Sequence, residues 1–218
     1  MNYKLVYARR KTISLQINQN GEIVVRAPRC VSQKYIDQFI LSKGVWITKS
    51  LEKVSARSPK PKEFVEGELF LYIGTTYPLR ILEGYRRRIE LSEAFYISKF
   101  FAPKAKNLFE VWYKDQAKLL FQQRATYFAQ IMNVNFKKVT IRTASTRWGS
   151  CSSLGNINFT WRLIMAPLSI IDYVVVHELA HIRHKNHSVT FWKFVEQHCP
   201  DYKSARKWLN VNGNTLKI

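Results

Sequence analysis

The chain has 218 residues, and its 46% hydrophobic and 14% aromatic content is that of a folded protein, not a disordered one. Its 35 Lys+Arg against 15 Asp+Glu give a formal charge of +20, a surface that attracts polyanions: nucleic acid, nucleotides or acidic lipid. No apolar run approaches the roughly 18 residues that a membrane span needs, so a spanning protein is not expected.

The charge is spread along the chain, with 17 Lys+Arg against 8 Asp+Glu up to residue 90 and 18 against 7 after it. The densest run is Arg86-Arg87-Arg88, and no helix-turn-helix, zinc-finger or RNA-binding motif accompanies it. The N-terminus reaches Arg9-Arg10-Lys11 before any apolar block forms, which argues against a secretory leader. Cys30, Cys151 and Cys199 are too few and too scattered for a disulfide framework, so a reducing, cytoplasmic setting is expected.

In chain order, Thr12–Ile17 alternates in period two, Asn18-Gln19-Asn20-Gly21 reads as a turn, and Glu22–Arg26 completes a hairpin. From Ser32 the apolar spacing changes to three and four, which predicts one helix to about Lys53. Ser58-Pro59-Lys60-Pro61-Lys62 is the clearest linker-like stretch. Glu68–Ile73, Tyr77–Leu82 and Arg88–Leu91 read as short strands with turns at Gly74 and Gly84. A long helix is predicted from about Pro103 to Met132, with Leu108, Trp112, Leu119, Leu120, Tyr127, Phe128 and Ile131 on its apolar side. Val139–Arg142 and Ile157–Thr160 read as strands with a loop, Thr143–Gly155, between them. The expected organisation is α+β: a β-rich N-terminal part with one helix over residues 1–95, and an α+β part over 96–218.

The stretch that carries chemistry is Ile170–Trp192, IIDYVVVHELAHIRHKNHSVTFW. Pro167 suits a first helical turn, and Ser169 with Asp172 resembles a capping box. The β-branched and apolar run Tyr173–Val176 argues for a buried strand, but Glu178-Leu179-Ala180 favours a helix. On a helix His177 and His181 share one face, with Cβ atoms roughly 6 Å apart, and two imidazoles so placed can converge on one metal ion. Glu178 follows the first of them, within reach of a water on that ion. This is the H-E-x-x-H arrangement of two ligands and a general base. A catalytic zinc needs a third protein ligand and an open position. The candidates are His184, His187, Glu196, His198 and Cys199. His184 lies about 10 Å along the axis from His177, too far for compact binding. His187 suits better if the helix ends near Lys185-Asn186 and Asn186 takes the left-handed conformation.

The run HELAHIRHKNHSVTFW, preceded by RTASTRWGSCSSLGNINFTWRL and followed by Pro200-Asp201-Tyr202 and Trp208-Leu209, resembles the YgjP-like family of zinc metallopeptidases. It is more distantly similar to the SprT-like and WLM proteases. The resemblance implies a zincin-like C-terminal domain with an active-site helix, a second helix beside it and a small sheet. It implies Zn2+ held by His177, His181 and His187, with Glu178 catalytic. The spacing also looks like the metzincin pattern, but His184 stands where that pattern has glycine, and no downstream Met-turn signature is present.

The second motif is Arg142–Cys151, RTASTRWGSC. In a zincin sheet the edge beside the cleft lines the substrate site. Arg142 and Arg147 can then hold a carboxylate, a phosphate or a developing oxyanion, and Trp148 can wall the cleft. The competing reading is structural: Arg147 in a salt bridge and Trp148 buried. Gly149 and Ser150 allow close backbone approach, and Cys151 is read as a buried thiol, not a nucleophile. A helix is predicted over Phe191–Cys199, with Asp201 capping a last helix and a minor candidate for orienting a ligand histidine. The expected function is zinc-dependent hydrolysis, most simply of peptides. One alternative is a metal-dependent nucleotide (nucleoside triphosphate) pyrophosphatase, which the charge and the two arginines favour. Another is a basic nucleic-acid-binding protein with a structural zinc.

Overall fold

A computed structural model describes residues 2–18, 21–57, 61–144 and 146–218, with the side chains of 53–57 left out of that description. The chain divides into two compact units, Met1–Lys60 and Pro61–Ile218.

In the first unit, β1 (Lys4–Tyr7), β2 (Ser14–Ile17) and β3 (Ile23–Ala27) form a sheet of order β1-β3-β2. β3 is antiparallel to β2, as the hairpin pattern predicts, and parallel to β1, a strand without period-two alternation that the sequence did not reveal. The expected turn lies partly outside the described residues at Gln19 and Asn20. Its flanks close it, with Gly21 N donating to Asn18 O at 3.0 Å and Gly21 at φ +79°. The expected single helix is two, α1 (Gln33–Ser42) and α2 (Gly44–Arg57). Ser32 caps α1 by accepting from Tyr35 N, and Gly44, the poorest helix former in the run, opens α2. Val25, Ala27, Ile36 and Ile47 are fully buried between sheet and helices.

The second unit begins 35 residues before the boundary expected at 95, at Pro61. Its first sheet explains why. β4 (Leu69–Tyr72), β5 (Thr75–Leu82), β6 (Ile89–Leu91) and β7 (Phe95–Ser98) pair in the order β4-β5-β7-β6. Phe70 and Phe95 from this sheet bury against Phe109 of α3 (Ala105–Ile131), with ring centroids 4.2 and 4.9 Å away. β7 was not read from the sequence. The first three residues of the linker-like stretch, 58–60, lie outside the described residues, but the compact units do part there.

The core face of α3 overlaps the expected one: Phe128 is buried, and Leu108, Trp112 and Leu120 are partly buried against the core. Ala105, Phe109, Tyr113, Ala117, Phe121, Ala125 and Ala129 recur every four residues and are buried, whereas Leu119, Tyr127 and Ile131 are about half exposed or more. Each buried Phe is worth about 1.5–3 kcal/mol of transfer free energy. Tyr113 adds a polar tie, its hydroxyl donating to Leu71 O at 2.6 Å.

After α3 come β8 (Lys138–Arg142), β9 (Gly149–Cys151) and β10 (Asn156–Thr160), in the order β8-β10-β9. β9 falls inside the stretch expected as a loop and is the antiparallel edge strand. Ile157 and Phe159 of β10 are fully buried, Phe159 edge-on to Phe121 of α3. A 3-10 turn, Trp161–Met165, leads into α4 (Leu168–Arg183), followed by α5 (Val189–His198) and α6 (Tyr202–Asn212). The Gly74 turn between β4 and β5 locks onto the start of α4. Its amide donates to Met165 O, and a methyl on Gly74 would lie 2.9 Å from Pro167 Cα. The expected capping box does not form: no side chain caps α4, and Asp172 instead accepts from Arg124 of α3. The α+β class expected from the sequence is therefore present, with helices and small sheets in the larger unit.

Candidate metal centre

α4 is buried on nearly every side, through Ile171, Val175, Val176, Leu179 and Ala180. That burial overrides the strand preference of Val174–Val176 and makes α4 a rigid central helix. His177 and His181 lie four apart on its remaining face. The last helical hydrogen bond is His184 N to Ala180 O at 2.9 Å, and His184 itself is extended at φ −120°, ψ 104°. The helix thus stops before the expected Lys185-Asn186, and Asn186 is not in the left-handed region. The chain reverses, Ser188 caps α5 by accepting from Phe191 N, and His187 arrives beside the α4 pair.

The result is one cluster. A ligand nitrogen from each of His177, His181 and His187 lies within 4.8 Å of the other two, and the Nε2 atoms of His177 and His187 are 3.1 Å apart. Tetrahedral binding at 2.0–2.1 Å sets ligand nitrogens about 3.3 Å apart, close to that spacing. His181 donates from Nδ1 to His184 O at 3.0 Å in the tautomer that leaves Nε2 free for a metal. His177 Nδ1 is buried with no hydrogen-bond partner among the described residues. The residues present fit a divalent ion. His184 serves as this carbonyl buttress and packs on Phe194. Glu196 pairs with Lys203, while His198 and Cys199 stay outside the cluster. Asp201 makes no side-chain cap on α6, and no hydrogen bond joins it to a cluster histidine.

The sequence did not mark the floor of this site. Phe191, fully buried, has its ring 4.7–5.0 Å from all three imidazoles. Trp192 stacks on His187 at 5.6 Å and 22° and on Tyr202 at 5.2 Å and 18°. The signal was available: both rings follow His187 at four and five residues, on the first turn of a capped helix.

Glu178 is 6% exposed. Burial pushes its carboxyl up to about 8, opposed by the charge of Arg147. Burial also brings His177 down to about 3, helped by His181, His187 and Arg206, so the imidazole stays neutral, the form that binds metal. Gly149 of β9 lies directly against Glu178: a methyl there would meet Cγ and Oε1 at 2.6 Å. The close approach that this glycine permits is therefore by the acid of α4.

A cleft of about 210 Å³ opens on His177 and Glu178 and is walled by Trp148, Tyr173 and Arg206. A neighbouring cleft of about 350 Å³ is lined by Arg142, Thr143, Arg147 and Trp148. Arg142 and Arg147 are exposed. Arg142 donates to Asn158 Oδ1 at 3.3 Å, and Arg147 forms no salt bridge among the described residues. Trp148 is half-buried and packs on Gly213, where a methyl would lie 2.6 Å from its ring, so it both walls the cleft and ties β9 to the end of α6. Cys151 is half-buried, and burial first, then the nearby Glu178, push its thiol up, away from nucleophile behaviour.

Three convergent imidazoles beside a buried carboxyl form a cluster that could hold a metal ion. The chain belongs to the YgjP-like family, metallopeptidase domain, whose model matches residues 11–212. No curated protein matches the chain. Among solved structures it is similar to the metallopeptidase zymogen abylysin of Pyrococcus abyssi, at 20% identity and a TM-score of 0.36 over 42% of this chain and 94% of that one. It is also similar to the metallopeptidase zymogen jannalysin of Methanocaldococcus jannaschii, at 15% identity and a TM-score of 0.36 over 42% and 97%. Among the described residues no helix is long and apolar enough to cross a membrane.

Proposed function

We propose that this protein is a zinc-dependent peptidase in which His177, His181 and His187 hold the metal and Glu178 is the general base. The observation that carries the reading is the convergence of three imidazoles within 4.8 Å beside an acid that opens on the same cleft. When bound, the ion supplies Lewis acidity toward a peptide carbonyl and acidifies water. Glu178 takes a proton from the attacking water and returns it to the departing amine. Arg147 and Arg142 hold the substrate from the β9 side, and Trp148 limits water access to the cleft.

Glu178→Gln is expected to lose hydrolysis of unfolded protein by at least 10²-fold while keeping its metal. His187→Ala is expected to lose metal affinity by at least tenfold. Full hydrolysis by the first variant, or unchanged affinity in the second, overturns the assignment. The arginine-lined cleft favours one second reading, hydrolysis of nucleoside triphosphates. Release of phosphate or pyrophosphate with the same dependence on Glu178, and no digestion of peptides, would select it.

A further inference from the structure

α6 also lines the metal cleft, through Arg206, Leu209 and Asn210, and its residues sort by helical face. Tyr202, Ala205 and Leu209 are buried, whereas Lys203, Arg206, Lys207 and Asn210 recur at i, i+3, i+4 and i+7 and face outward. Arg206 and Asn210 belong both to the cleft that holds His177 and Glu178 and to a second cleft of about 410 Å³ with Trp192 and Tyr202. Arg206 and Asn210 therefore form a wall shared by the metal cleft and the groove along α6. Arg206 is held at the junction by Trp192, its guanidinium 5.2 Å from that ring. Lys203 pairs with Glu196 at 3.5 Å across solvent, while Arg206 and Lys207 have no carboxylate partner among the described residues. Among the described residues, the only acid lining the metal cleft is Glu178.

This arrangement suits one kind of anion. A phosphate group is best held where several donors converge, but these cations are spaced along the helix. Lys203 to Lys207 spans about 6 Å at 1.5 Å per residue. An extended peptide advances about 3.3 Å per residue, so the three cations match about two residues of bound chain. The aromatic faces of Trp192 and Tyr202 offer apolar contact between the charges, and guanidinium pairs with carboxylate in two-point geometry.

Resting on the peptidase reading, we propose that the α6 groove selects peptides carrying aspartate or glutamate beside the scissile bond, with Arg206 as the specificity-determining residue. Zinc-loaded full-length protein is given C-terminally amidated peptides of one length, either with two or three acidic residues or with glutamine and asparagine in their place. Binding of the same labelled peptides to zinc-loaded Glu178→Gln is measured by fluorescence anisotropy. The acidic peptide is expected to be cleaved with at least tenfold higher kcat/KM, through KM, and to bind at least tenfold more tightly, less so as salt rises. Arg206→Gln is expected to bring both ratios close to one, Arg206→Lys to recover part of them, and Lys118→Gln, the same charge change on the exposed face of α3, to leave them unchanged.

Equal cleavage and equal binding of the two peptides overturn the inference and leave the peptidase reading standing. Tight, Arg206-dependent binding of acidic peptide without cleavage by the parent protein sinks the peptidase reading and keeps the groove. Displacement of the acidic peptide by a nucleoside triphosphate at a hundredfold lower concentration overturns the acidic-peptide assignment.

Discussion

Gly149 and Glu178 are in such close register that one methyl on the glycine would sit 2.6 Å from the Oε1 atom of the acid. The edge strand of the small sheet thus sets the position of the acid on α4. Glu178 is 6% exposed and has little room to swing away.

Gly149→Ala is therefore expected to push the carboxyl out of place while leaving the three histidines untouched. Hydrolysis should fall by about 10²-fold with zinc content unchanged, and overpacking should cost about 1–3 kcal/mol in urea melts. Activity within twofold of the parent would show that the carboxyl can shift without consequence.

Two buried groups on α4 give the metal-free protein opposite pH slopes. His177 falls to about 3 on folding, from an ordinary 6.5. The unfolded chain takes up a proton there that the native chain refuses, so stability is lost as pH falls from about 6.5 toward 3. Glu178 rises to about 8 from 4.5, so the native chain keeps a proton that the unfolded chain releases, and stability is lost as pH rises from about 4.5 to 8. Glu178→Gln removes only the second slope. In chelator-treated protein its stability relative to the parent should improve steadily between pH 5 and pH 8, by up to about 4 kcal/mol. Melts at pH 5, 6.5 and 8 check this, and a gap that does not change with pH contradicts it.

Asp172 accepts two bonds from Arg124, at 2.6 Å from Nε and 2.7 Å from Nη2, and so clamps α3 to α4. Both side chains are about four-fifths buried, and the guanidinium lies against Tyr127 and Phe128. Removing either partner strands the other, so Asp172→Asn and Arg124→Met should each cost about 1–3 kcal/mol, with a coupling of similar size in the double mutant. Additive losses would mean that Asp172 acts alone, as a helix-start residue does.

The centre of the site was legible because its geometry is local. His177 and His181 need only a helix, and His187 needs only a chain reversal within six residues of His181. What escaped depends on distant packing. The close pass of Gly149 to Glu178 is set by β9 meeting α4. Asp172 was read as a cap because it stands three residues after Ser169, whereas its partner is 48 residues away. Three residues expected on the core face of α3, Leu119, Tyr127 and Ile131, are large and apolar yet lie outward, while the buried stripe mixes rings with alanines that carry little hydrophobic signal. The boundary expected at 95 followed a change from strands to helix. The structure follows burial instead: the rings of Phe70 and Phe95 need Phe109, so the sheet belongs with the helix that covers it. The prolines and serine at residues 58–62 marked the division more closely than the change of element type did.

X-ray absorption at the zinc edge of the loaded protein probes the ligand set most directly. Three imidazole nitrogens at about 2.0–2.1 Å, one further light scatterer and no sulfur are expected, with one imidazole lost in His187→Ala. A sulfur shell at about 2.3 Å, or an unchanged imidazole count in that variant, would contradict this ligand set.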